Sequence, residues 1–138
     1  MDFAEIRDKV KRLNFPMGQY ALFGSTPMAA HGIREAHDID IVVSHELYGE
    51  LEKQGWNKKV LPSGTKILVK DDIEAFDGWN YLDSYRPDTA TLIREANIID
   101  GIPVVKLKEV LVWKKAFGRE KDLRDAELIE KFMKTAHT

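Results

Sequence analysis

Apolar positions recur along this chain in two rhythms. Over residues 2–14, Phe3, Ile6, Val10 and Leu13 fall three or four apart, the spacing of one helical face, and Pro16 closes the segment. Residues 19–23 form a short apolar run that predicts a buried strand ending at Gly24. Ser25 and Thr26 are good N-cap types and Pro27 suits a first helical turn, so residues 26–31 predict a short helix closed by Gly32. A second strand is expected over 38–43 and a helix over 44–54, capped by Gly55. Strand, helix, strand is the opening rhythm of an α/β unit. Residues 66–69 and 73–76, joined by Lys70-Asp71-Asp72, predict a hairpin, and residues 89–97 a helix. Residues 98–105 place the turn signal Asp100-Gly101 between two apolar runs. The tail predicts helices over 107–117 and 121–134 with Gly118 between them.

Composition narrows the class. The 138 residues carry 21 basic and 23 acidic side chains, a net charge of −2, which argues against a protein whose whole surface grips nucleic acid but allows a local basic patch. No repeat, low-complexity tract or linker divides the chain. A single domain over 1–138 is expected, with a sheet-bearing part over 1–105 and C-terminal helices over 106–138. No apolar run approaches the roughly 18 residues of a membrane span, and the acidic start Met-Asp-Phe-Ala-Glu lacks an apolar signal core. The absence of cysteine removes thiol nucleophiles, Cys-ligated zinc and disulfides, and fits a reducing cytoplasm.

The sharpest chemical feature is Asp38-Ile39-Asp40-Ile41-Val42. Residues i and i+2 of a strand share a face, so two carboxylates stand side by side while Ile39 and Ile41 face the core. Such a pair repels itself and a divalent cation relieves it, although an amphipathic edge strand with a wet acidic face has the same pattern. Fourteen residues before Asp38 lies Gly24-Ser25, where a strand hands over to a helix. Free backbone N–H groups there form an anion site, and the Ser25 hydroxyl can donate to a phosphate. A phosphate cradle beside a metal-binding carboxylate pair makes the two halves of a nucleoside triphosphate site.

These residues resemble the nucleotidyltransferase superfamily that includes DNA polymerase beta. The matching motifs are Ala21-Leu22-Phe23-Gly24-Ser25 and Asp38-Ile39-Asp40-Ile41. The stretch from Gly24 to Asp40 is similar to the branch of AbiEii-type abortive-infection toxins and minimal nucleotidyltransferases, in which an arginine often precedes the acidic pair. Arg34 stands there, and Lys114, Arg119-Glu120-Lys121-Asp122 and Asp125 match the tail. The resemblance implies a mixed, twisted sheet with helices on one side and a helical C-terminal segment closing the site. It maps a third metal-binding carboxylate to Glu74 in Ile73-Glu74-Ala75-Phe76, with Asp77 competing. Strand alternation puts those two on opposite faces, and Glu74 is chosen because it sits inside the apolar strand.

Lys114 falls within the apolar stripe of Leu107, Val110, Leu111 and Phe117. It either meets structural partners in Asp122 and Asp125 or faces nucleotide phosphates. His31, His37, His45 and His137 lack metal-ligand spacing. Ser63-Gly64-Thr65-Lys66 is only superficially like a phosphate loop and reads as the turn before a strand. Trp56, Trp79 and Trp113 read as packing, with Trp79 near enough to the acidic hairpin to touch a base.

The function the resemblance implies is transfer of an NMP from an NTP to an acceptor hydroxyl with release of pyrophosphate. Asp38, Asp40 and Glu74 would hold two Mg²⁺ ions, replaceable by Mn²⁺, while Gly24, Ser25, Arg34 and Lys114 bind the triphosphate. No motif decides among an RNA end, a protein hydroxyl and a small molecule as acceptor. An antitoxin-like or non-catalytic member binding a partner toxin or antitoxin is the alternative from another class, and metal-dependent phosphodiester hydrolysis a third.

Overall fold

Side-chain alternation along the central strands divides the core into two layers. In the computed structural model, which describes residues 1–136, a seven-stranded mixed sheet has the order β3-β4-β5-β2-β1-β7-β6. Its strands are β1 (Tyr20–Phe23), β2 (Ile39–Val43), β3 (Asn57–Val60), β4 (Lys66–Lys70), β5 (Ile73–Phe76), β6 (Asn97–Ile99) and β7 (Ile102–Val104). The helices are α1 (Phe3–Leu13), α2 (Thr26–Ala30), α3 (His45–Lys53), α4 (Thr89–Arg94), α5 (Leu107–Phe117) and α6 (Glu120–Ala136).

Tyr20, Leu22, Ile39, Ile41 and Ala75 pack with Ile6 and Val10 of α1 and Leu47 and Leu51 of α3. Ala21, Phe23, Val42 and Phe76 pack on the other face with Leu92 and Ile93 of α4, Leu107, Val110 and Trp113 of α5, and Ile129 of α6. Helices therefore cover both faces, not one side as expected, because both alternating sets of β1 and most of β2 are apolar and must be shielded from water.

The α/β rhythm at the start also resolves differently. β1 and β2 are antiparallel, with Tyr20 opposite Val43 and Phe23 opposite Asp40. The five-residue α2 is too short for a parallel crossover, which takes a dozen residues or more, so the chain doubles back beside β1. The parallel neighbour of β2 is β5, reached after α3, β3 and β4. β2 begins at Ile39, leaving Asp38 in the bend before it. β3, Asn57-Lys58-Lys59-Val60, has no counterpart in the sequence reading. It is an exposed edge strand whose lysines carry no apolar period and discourage pairing with another chain. Among the described residues no helix is long and apolar enough to cross a membrane.

Candidate active site

The carboxylates meet where β2 and β5 begin side by side. The parallel register sets Asp40 opposite Glu74, and their carboxyl groups hydrogen-bond. Burial pushes Asp40 up to about 8, helped by the negative charges of Glu74 and Asp38 and opposed by Lys114. Asp40 thus favours its protonated form at neutral pH. Asp38 is exposed in its bend and acts on Asp40 through charge. Asp77 leaves on the opposite side, where one of its carboxylate oxygens lies 2.9 Å from His45 Nδ1 at the start of α3. Lys59, which the sequence reading did not single out, brings Nζ to 3.7 Å from Glu74 Oε1 across β4. Its only sequence signal is a lysine in an otherwise unremarked polar segment.

The cationic half is assembled from three segments. Gly24 follows β1 with φ +63°, and a Cβ there would lie 2.9 Å from both Cβ and Cγ of Asp40. Only glycine satisfies both the backbone and that approach. Ser25 takes the N-cap position of α2, but its side chain makes no capping bond. Its Oγ instead accepts from Arg34 Nη2 at 2.9 Å and from Lys114 Nζ at 3.3 Å. The hydroxyl proton of Ser25 is therefore left to donate elsewhere. Thr26, read with Ser25 as a cap, turns its hydroxyl back to donate to the carbonyl of Phe23.

Asp122 and Asp125 of α6 hold these cations in place. Arg34 donates to both carboxylate oxygens of Asp125 at 2.9 and 2.8 Å. Lys114 Nζ lies 2.9 Å from Asp125 and 3.6 Å from Asp122. Burial raises the Asp125 carboxyl, but the hydrogen bonds and charges of Arg34 and Lys114 outweigh it and hold it below the ordinary carboxylate range. Of the two roles weighed for Lys114, the structure shows the structural one: it is buried among acids, with its ammonium also reaching Ser25.

A cleft of about 920 Å³ runs over this centre. Ser25, Arg34, Asp38, Asp40 and Lys114 line it, together with Leu61, Pro62 and Ser63 of the β3–β4 turn. Tyr81, Trp113 and Phe117 add an aromatic lining, Phe117 packing edge-on to the other two. Trp113 Nε1 donates to the Tyr81 hydroxyl at 2.8 Å. Trp79 is only 2% exposed and stacks on Phe23 at 4.4 Å, so it is chiefly packing, with an edge in the cleft lining. His31 packs edge-on to Phe132, His37 lines the cleft, and His137 lies outside the described residues.

Among the described residues no three His, Asp or Glu side chains are already gathered around a metal position. The donor chemistry nonetheless fits a hard divalent cation. Asp40 holds a proton beside Glu74 that such an ion would replace, and Asp38 lies two residues from Asp40 with its side chain exposed.

No family model and no curated protein matches this chain. Among solved structures, that of ANT(2")-Ia in complex with adenylyl-2"-tobramycin is similar to it over 93% of this chain and 88% of that one, at 19% sequence identity and a TM-score of 0.48.

Proposed function

We propose that this protein is a metal-dependent nucleotidyltransferase, moving an NMP from an NTP to an acceptor hydroxyl with release of pyrophosphate. One observation carries the reading: Asp40, paired with Glu74 across β2 and β5, and the Ser25–Arg34–Lys114 donor cluster line one cleft. Separately, each is an ordinary feature. Together they match the two demands of phosphoryl chemistry, charge neutralisation along the phosphates and oxygen ligands for divalent ions.

Asp40, Glu74 and Asp38 would hold the Mg²⁺ ions, which when bound supply Lewis acidity at the phosphate and at the acceptor oxygen. Ser25 donates its free hydroxyl proton to a phosphate oxygen, while Arg34 and Lys114 offset the triphosphate charge. Both cations stay anchored on Asp125, so they need no reorganisation as charge shifts towards the leaving pyrophosphate. Glu74, only 19% exposed beside Asp40, orients the acceptor hydroxyl and takes its proton on a carboxylate oxygen. The acceptor oxygen then bonds the α-phosphorus as the bond to the bridging oxygen of pyrophosphate breaks. The acceptor is drawn from three classes, an RNA end, a protein hydroxyl and a small molecule.

The test is incubation of the pure protein with Mg²⁺ and each α-labelled NTP, with and without total RNA, a protein extract and hydroxylated small molecules. Label should appear on one acceptor class with matching pyrophosphate release, and Asp40→Asn should abolish both. Release of free NMP without labelled acceptor would make the protein a hydrolase, and no turnover of any NTP would overturn the enzymatic reading.

A further inference from the structure

We propose that Arg119, lying flat on Phe117, is the stacking platform for the base of the bound nucleotide. This rests on the nucleotide reading of the cleft and extends it to the half of the ligand that the Ser25 cluster does not touch.

The geometry begins at Gly118, which ends α5 in the left-handed region at φ 72° and turns the chain so that Arg119 folds back over the last residue of the helix. The guanidinium carbon of Arg119 lies 3.7 Å from the centroid of the Phe117 ring. Asp122, fully buried, fixes the plane from its edge, accepting from Nε at 2.6 Å and from Nη2 at 3.1 Å. A buried carboxylate is costly to keep, and this one holds a guanidinium in a single orientation. Phe117 in turn packs edge-on to Tyr81 at 5.7 Å and to Trp113 at 6.4 Å, so Arg119 is the outermost layer of an aromatic stack.

That outer layer is open. The Arg119 side chain is 45% exposed and lines the cleft. Two of its N–H donors are committed to Asp122 at the edge, so what it offers a ligand is chiefly its flat face. Delocalised cations of this kind stack on the π-face of a base and tolerate any base. Phe117 follows Lys114 by three residues, a rise of about 4.5 Å along the helix, and Lys114, Phe117 and Arg119 line the same cleft. A triphosphate on Ser25, Arg34 and Lys114 therefore has the platform in the same cleft for its base.

The proposal separates face from charge. Binding of each of the four Mg²⁺–NTPs and of Mg²⁺–tripolyphosphate, which has no base, is measured by calorimetry for the whole protein and for Arg119→Ala and Arg119→Lys. Arg119→Lys keeps the positive charge beside Asp122, so it reports even where Arg119→Ala loosens the junction of α5 and α6. NTP affinity should fall on the order of tenfold in both variants, the loss expected for one base stack, with tripolyphosphate affinity unchanged. An equal fall for both ligands would make Arg119 a phosphate or scaffold residue, and unchanged NTP affinity would mean no stacking; either result overturns the proposal. If the wild-type protein binds tripolyphosphate and no NTP more tightly, the platform fails while the anion site stands. If it binds neither, the nucleotide reading falls and takes the platform with it.

Discussion

Asp40 keeps its proton in the metal-free protein because burial and the neighbouring Glu74 and Asp38 charges disfavour the ionised form, raising its pKa to about 8. In the unfolded chain the same group ionises near the ordinary carboxylate value of about 4. Between those limits the folded state binds more protons than the unfolded one, so the contribution of Asp40 to stability falls as pH rises from about 4 to about 8. Asp40→Asn mimics the protonated form. With EDTA present, thermal melts should show it more stable than wild type at pH 8, by a margin that shrinks steadily towards pH 4; the same difference at both ends would contradict this. Glu74 and Asp77 separate by face. Glu74→Gln should leave Mg²⁺–NTP affinity nearly intact and slow turnover by about a hundredfold, the size of a general-base contribution. Asp77→Asn removes only an exposed contact to His45 and should leave turnover unchanged. Single-turnover kinetics with equilibrium binding check both, and the reverse ranking would assign the role to Asp77.

At the scale of elements, two joints position the site. The β1–α2 junction brings the backbone of Gly24 against Asp40. Gly24→Ala, strained at φ +63° and colliding with Asp40 Cβ and Cγ, should cost stability and displace that carboxyl, seen as a lower melting temperature with weaker divalent-ion binding. Retention of both would show that the junction can relax. The α5–α6 pair is held by Lys114 against Asp122 and Asp125, with Arg119 closing on Asp122. Asp122→Ala leaves the buried Lys114 ammonium short of one partner. Breaking a buried pair in this way costs about 3–5 kcal/mol, measurable by urea unfolding, and a loss below about 1 kcal/mol would mean that Asp125 suffices alone.

At the scale of the molecule, α5 and α6 complete the layer over Phe23, Phe76 and Trp79. A chain ending at Val105 would bare that layer, and it should lose near-UV circular dichroism and bind a hydrophobic dye; a native-like spectrum would show the helices to be dispensable. The elements with a strong apolar period, α1, β1, β2, α5 and α6, were legible in the sequence because burial writes its period into the residues. So were Gly24 and Ser25, from the strand-to-helix junction, and Asp38 and Asp40, from their spacing, as candidates, whereas Glu74 came from the resemblance, and Asp38 stands in the bend before β2 and not on the strand. What alternation could not express was partnership. The antiparallel pairing of β1 with β2, helices on both faces, the edge strand β3, the reach of Lys59 to Glu74 and the anchoring of Arg34 on Asp125 join residues far apart in the chain. Their energies come from contacts whose distance no local pattern records. Residue types and periods therefore determined by themselves which groups this protein has for chemistry, and tertiary packing alone decided which of them meet around the cleft, because proximity there is set by sheet order and helix docking.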